Sequence, residues 1–181
     1  MRSIALAIGI VWAVFWVGWL VAAVTAKRGR RNGSGFAIRA GIVIVGILVF
    51  RLARGHVHSN DDVVQGAIGL ALVVCGLAFA VWARVHIGRN WGPPMTVKLS
   101  GHELVTSGPY RFVRNPIYSG ILLALLGTAV ALNLLLLIIV VGLGGYFVYS
   151  CKVEERIMLR EHPDSYPAYR SRTKMLIPFV L

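Results

Sequence analysis

Apolar residues in this chain do not alternate with polar ones. They come in long blocks parted by short polar stretches: Ile4–Ala26, Phe36–Ala53, Val63–Val85 and Ile117–Tyr149. About 18 or more apolar residues suffice to carry a helix across a ~30 Å hydrocarbon core. The first and third blocks each predict one span, and the shorter second block predicts another. Ile117–Tyr149 is too long for a single crossing, because at 1.5 Å per residue its helix would reach roughly 50 Å. Asn133 lies near its midpoint, so the block reads as a helical hairpin turning there. The pattern predicts an all-α integral membrane protein with five transmembrane helices, the last two forming the hairpin over residues 117–149.

The polar stretches complete the layout. Met1–Ala26 carries Arg2, an apolar run and a Val-Thr-Ala ending, as a signal peptide would. Its apolar run exceeds the ~7–15 residues of a signal core, and Lys27, Arg28, Arg30 and Arg31 follow at once, so a retained first helix is expected. Ser59-Asn60-Asp61 offers capping residues for the third span. From Arg84 to Arg114 the chain is polar and rich in glycine and proline, and such backbone cannot lie unpaired in lipid. It is expected to form a segment at the membrane surface, with a tail beyond Ser150 that is helical through KVEERIMLREH. Residues 1–85 thus hold three helices. Residues 86–181 hold the surface segment, the hairpin and the tail.

Composition agrees with this reading. Of 181 residues, 57% are hydrophobic and only 14% charged, against about a quarter charged in soluble domains. A formal charge of +12 raises the question of nucleic acid. The basic residues cluster beside spans, however, where they set topology and touch anionic lipid headgroups, so no nucleic-acid partner is expected. Loop 27–35, segment 84–116 and tail 150–181 carry most of the positive charge. They share the cytosolic side if the N-terminus is outside and the C-terminus cytosolic, with Arg2 opposing weakly. Cys75 and Cys151 have neither zinc nor disulfide spacing and read as small buried hydrophobes. His56 and His58 fall on the predicted outer side, and His86 and His162 lack a second ligand set, so no metal is expected.

Chemistry concentrates at the ends of the hairpin. Arg111, Arg114, Asn115, Pro116 and Tyr118 enter it, and Glu154, Glu155 and Arg156 leave it. A hairpin sets its ends side by side, so the two groups should meet. Ionisable groups at a membrane boundary are functional candidates; an Arg–Glu pair that only pins the hairpin is the alternative. Glu154 and Glu155 diverge by about 100° on a helix and should not share one role. Gly142, Gly144 and Gly145 are expected to permit close helix packing.

Several motifs follow one another in order: Gly88–Trp91 (GRNW), Gly101–Tyr110 (GHELVTSGPY), Arg114–Gly120 (RNPIYSG), the hairpin, Glu154–Arg156 (EER) and the pair Tyr166 and Tyr169. This ordered set resembles the isoprenylcysteine carboxyl methyltransferase family and its prokaryotic relatives. The likeness is detailed over roughly residues 80–181, while the first three spans match in kind. It implies S-adenosylmethionine as methyl donor, held on the cytosolic side, and a lipophilic carboxylic acid arriving from the bilayer. Carried over by motif, Tyr110, Asn115, Pro116, Tyr118 and Glu155 fall in the cofactor site, with the backbone around His102, Glu103, Leu104 and Val105. Arg114, Glu154 and Glu155 fall at the catalytic end. The family usually has histidine where this chain has Asn115, which can hydrogen-bond but cannot take up a proton near neutrality.

These residue types suit ester formation. A carboxylate is already ionised at neutral pH and needs no general base, so catalysis rests on positioning and exclusion of water. A guanidinium can hold it through two parallel hydrogen bonds. Arg114 is the first candidate, with Arg170 and Arg172 as helpers and Trp91 lining the pocket or anchoring at the interface. The acceptor reads as prenylcysteine-like or as a fatty acid. Other readings are N-methylation of a phospholipid amine, an NADPH-dependent sterol-type reductase, and a non-enzymatic scaffold that binds anionic lipid.

Overall fold

The computed structural model describes residues 2–24, 29–30, 62–91, 97–98 and 104–180. The second apolar block, Phe36–Ala53, lies outside the described residues, as do Ser59–Asp61. Five helices carry the described chain: α1 (Arg2–Val24), α2 (Val63–Ile87), α3 (Pro116–Leu132), α4 (Leu137–Glu161) and the short α5 (Tyr166–Arg172). Segments Ser3–Val21, Val63–Ile87 and Leu134–Glu161 are long and apolar enough to cross a membrane, and α3 is a shorter apolar helix of 17 residues. The one two-stranded pairing among the described residues is two residues long, Gly29–Arg30 antiparallel to Val97–Lys98, beside a single bridge between Val113 and Lys174.

Local signals explain where the helices begin and turn. Asp62 caps α2, its side chain accepting from the N–H groups of Val64 and Gln65 at 2.9 and 3.3 Å. The cap thus falls one residue beyond Ser59-Asn60-Asp61, because Asp62 is the residue whose carboxylate reaches the first-turn donors. The hairpin turns at Asn133. Its N–H still closes α3 on the Ala129 carbonyl (3.0 Å), while its side-chain oxygen accepts from Leu135 N–H (2.9 Å) and opens a 3-10 turn, Leu134–Leu136. Beyond Tyr149 the chain does not break into a separate tail helix. α4 runs on unbroken through KVEERIMLRE to Glu161, since nothing there interrupts helical hydrogen bonding when the surroundings turn polar.

Apolar side chains gain little by leaving lipid for protein, so helices in a membrane associate through close van der Waals packing. α2 and α3 pack antiparallel along a glycine seam, Gly69 against Gly127 and Ala131, and Gly76 against Gly120 and Ala124. A Cβ at Gly76 would sit 2.5 Å from the Gly120 carbonyl, and one at Gly127 would sit 2.6 Å from the Gly69 carbonyl. Val73, Leu77, Ala80, Ala124 and Ala131 fill the core around the seam, joined by Ile8 and Phe15 of α1. The Trp12 indole N–H donates to Thr128 Oγ1 at 3.1 Å and ties α1 to α3.

The close packing expected of Gly142, Gly144 and Gly145 falls on this seam instead. A Cβ added at Gly142 or Gly145 would meet no described neighbour within 4 Å, and at Gly144 only Leu122, at 3.9 Å. α4 meets α3 through larger groups, among them Tyr118 and Phe147, whose rings stack at 4.6 Å.

Candidate active site

The antiparallel helices bring the polar end of α2, the start of α3, the end of α4 and the tail to one end of the bundle. At the end of α2, Arg84 is buried; its Nη1 donates to the Gly88 carbonyl (2.9 Å) and its guanidinium lies 4.5 Å over the Trp91 ring. Trp91 also meets Trp19 edge-on at 5.6 Å. Gly108 adopts φ +58°, and a Cβ there would fall 2.7 Å from the His86 ring. That close approach lets His86 hydrogen-bond Ser107 Oγ (2.9 Å) and lie over Tyr110 (6.5 Å).

The tail crosses this end as a strap. Val113 and Lys174 form a parallel β-bridge, Arg114 N–H donates to the Lys174 carbonyl (2.8 Å), and Asn115 N–H donates to that of Met175 (3.2 Å). The Asn115 side-chain amide donates to the same Met175 carbonyl at 3.1 Å, and Ser119 Oγ reaches the carbonyl of Leu176. Tyr169 OH donates to the Tyr110 carbonyl at 2.7 Å. A ring N–H of histidine could make the bond that Asn115 makes here, so asparagine retains a donor at this position.

Arg114 lies at the centre. Its Nε and Nη2 both point at Glu155 Oε1, at 2.9 and 2.8 Å. Its Nη1 donates to the carbonyls of Arg170 (3.1 Å) and Thr173. Arg170 Nε reaches the other Glu155 oxygen at 3.3 Å, so one buried carboxylate bridges two guanidiniums. Side chains of Arg114 and Glu155 are only 10% and 7% exposed, whereas that of Arg170 is 50% exposed. Glu154 turns elsewhere and accepts from Tyr118 OH at 2.8 Å.

The sequence candidates therefore fall into groups. Arg114, Glu155 and Arg170 form one cluster; Tyr118 and Glu154 form a second beside it. Pro116 is buried in the first turn of α3, Tyr110 is buried beneath the tail, and Leu104 and Val105 approach it half-buried. Arg172 is exposed, its Nε donating to the Ala168 carbonyl at 3.1 Å. Trp91 sits against Trp19 and Arg84, and His102 and Glu103 lie outside the described residues. Two hydroxyls were passed over in the sequence: Ser150 Oγ and Tyr146 OH are buried on α4 and have no hydrogen-bond partner among the described residues. The signal for them was spacing, since Tyr146, Ser150 and Glu154 recur every four residues along one helix face.

Burial also sets the phenols of the strap. The Tyr110 and Tyr166 hydroxyls are pushed above the ordinary tyrosine range, first by burial, and that of Tyr169 is pushed up to about 12 by the same cause. The folded state thus holds the Tyr169 proton more tightly than the unfolded chain does. That stability is complete below the unfolded value near 10 and is lost as pH rises through about 12. The strap is expected to detach in this window, and Tyr169→Phe, which has no proton to lose, should shift and flatten the transition. Thermal midpoints of detergent-solubilised protein between pH 9 and about 12 test it.

Fold and site define a helical integral membrane protein whose polar end is closed by its own tail. The architecture matches the eukaryotic intramembrane Ras methyltransferase ICMT (isoprenylcysteine carboxyl methyltransferase), with a TM-score of 0.61 at 21% identity, covering 83% of this chain and 55% of that one. The chain belongs to the phospholipid methyltransferase family, whose model it matches over residues 64–164, and it is a relative of the isoprenylcysteine methyltransferases. Protein-S-isoprenylcysteine O-methyltransferase B of Arabidopsis thaliana is 28% identical over 115 residues, 62% of this chain and 58% of that protein. The nickel-cobalt-cadmium resistance protein NccN of Alcaligenes xylosoxydans xylosoxydans is 26% identical over 138 residues, 75% of this chain and 62% of that one. The cobalt-zinc-cadmium resistance protein CzcN of Cupriavidus metallidurans is 28% identical over 138 residues, 75% of this chain and 61% of that protein. The chain spans about three fifths of the length of these curated relatives.

Proposed function

We propose that the protein is an S-adenosylmethionine-dependent methyltransferase that esterifies a lipophilic carboxylic acid, prenylcysteine-like or a fatty acid, at the cytosolic face of a membrane. The observation that carries this reading is the Arg114–Glu155–Arg170 cluster at the mouth of a membrane hairpin, roofed by the tail. The donor set fits the cofactor: a sulfonium cation is favoured beside carboxylates and aromatic faces, and Glu154, Tyr118 and Tyr110 supply both. Tyr110, Tyr118, Glu154 and Glu155 would hold it, with Asn115, Pro116 and the backbone at Leu104 and Val105 shaping the floor. When bound, the cofactor would supply an activated methyl group for transfer to a carboxylate oxygen, its sulfur keeping the electron pair of the broken C–S bond. No proton moves.

Within this reading Arg114 positions the site. Its fork is turned to Glu155 and the tail carbonyls, leaving a single Nη2 hydrogen for anything else. The half-exposed Arg170, helped by Arg172, adds positive charge at the polar end, which attracts an incoming acid without clamping it. Basic loops favour a cytosolic position for this end, against anionic headgroups. N-methylation of a phospholipid amine is the second reading, favoured by the description of the matched family and by the occupied Arg114 fork. Calorimetric titration with S-adenosylhomocysteine and with NADPH tests the class; micromolar binding of the former alone is expected. Absence of such binding to folded protein would sink the methyltransferase reading. Incubation with methyl-labelled donor and membrane lipid then separates an ester, whose label is released by base, from an N-methyl product that keeps it.

A further inference from the structure

A hydroxyl inside a helix ordinarily satisfies itself by donating to the carbonyl four residues earlier. Thr128 does so here, reaching the Ala124 carbonyl at 2.8 Å. Ser150 makes no such bond although its side chain is fully buried, and one turn earlier on the same face the Tyr146 hydroxyl is buried and equally without a partner among the described residues. A buried hydroxyl with no partner is costly in any protein, and in the hydrocarbon layer no bulk water can relieve it. Two such hydroxyls one turn apart, without partners among the described residues, are donors that an acceptor group could engage.

The surroundings indicate where the site leads. The next residue along this face is Glu154, bonded to Tyr118 OH, and the Tyr118 ring stacks on Phe147 beside Tyr146. Tyr146, Ser150 and Glu154 thus form a polar track on α4, descending from the Arg114–Glu155 end toward the middle of the bilayer. A lipid-dissolved molecule entering from the side would meet its deeper end first.

Resting on the methyl-ester reading above, we propose that Tyr146 and Ser150 form the headgroup subsite of the acceptor, each donating one hydrogen bond to its carboxylate. The chemistry favours an acid. A carboxylate offers only acceptor lone pairs and so matches two O–H donors. Neutral donors orient it without cancelling the charge that makes it a nucleophile, which a full guanidinium clamp would do. Arg114 cannot provide such a clamp while its fork is held by Glu155 and the tail.

The test uses full-length protein carrying Tyr146→Phe, Ser150→Ala or both, with exposed Tyr149→Phe as the control. Acceptors are an S-prenylated cysteine acid, palmitic acid and phosphatidylethanolamine in detergent micelles. With either acid as the acceptor, each single variant should lower kcat/KM roughly 10- to 100-fold, the size expected for a lost hydrogen bond to a charged group. Affinity for S-adenosylhomocysteine should stay within about twofold, and the thermal midpoint should hold or rise, because a buried orphan has been removed. Acid methylation within about twofold of wild type, with a raised midpoint, would show the hydroxyls to be merely tolerated orphans and overturn the subsite alone. Wild-type protein that methylates phosphatidylethanolamine and neither acid would overturn the carboxylate assignment together with the reading beneath it.

Discussion

Arg114→Ala is expected to reduce methyl transfer a hundredfold or more and to destabilise the fold by about 3–5 kcal/mol, the range for removing one partner of a buried ion pair. The reason lies in what the side chain joins. Arg114 touches Glu155 at the end of α4 and the carbonyls of Arg170 and Thr173 in the tail. Without it Glu155 keeps only Arg170, whose side chain is half in solvent, and the strap loses its strongest anchors. Arg170 and Arg172 then lose their fixed placement over the site. Arg114→Lys should recover part of the stability but little of the rate, since an ammonium cannot serve carboxylate and carbonyls in one planar fork. Protease protection of residues 162–176, thermal unfolding and turnover should fall together. Turnover and protection both intact in the alanine variant would remove Arg114 from its positioning role.

The second large effect concerns the membrane core. Gly76→Val should prevent assembly of α2 on α3, giving aggregated or poorly expressed protein in place of a monodisperse species. The new Cβ would lie 2.5 Å from the Gly120 carbonyl and 2.6 Å from Ala124 N. Both contacts are with backbone, so no rotamer change relieves them. Gly142→Ala is the contrasting case: with no described neighbour within 4 Å of its Cβ, it should be tolerated and gain up to about 1 kcal/mol from helix propensity. Size-exclusion profiles and thermal midpoints of the two variants decide the matter. A well-folded Gly76→Val would mean that the seam can open without penalty.

Much of this architecture was legible because lipid imposes simple rules. Block length gave three spans among the described residues, and Asn133, near the midpoint of a block too long for one crossing, marked the turn. Glu154 and Glu155 diverged as one residue of helical rotation requires, one to Tyr118 and the other to Arg114. What stayed hidden depended on facing. Every side of a helix such as α2 is apolar, so hydropathy cannot tell a lipid face from a protein face, and glycines in α4 looked as good as those in α2. The occupation of Arg114 was equally unreadable, because its partners are mostly backbone carbonyls of the tail, which carry no sequence signature. Tyr146 and Ser150 were overlooked because isolated hydroxyls within an apolar run look ordinary until their bonds are traced.

The strap also fixes a schedule. Its bonds join residues 56 to 60 positions apart, and its tail half is made after the hairpin it closes. The hairpin can insert, turn at Asn133 and pair Arg114 with Glu155 before residues 170–176 dock. During that interval the polar end stands open to water and catalysis has no roof. Closing so long a loop carries an entropic cost of a few kcal/mol, so docking of the tail should be a late and separable step. A chain truncated before those residues should therefore insert and form the hairpin but lack the strap's bonds.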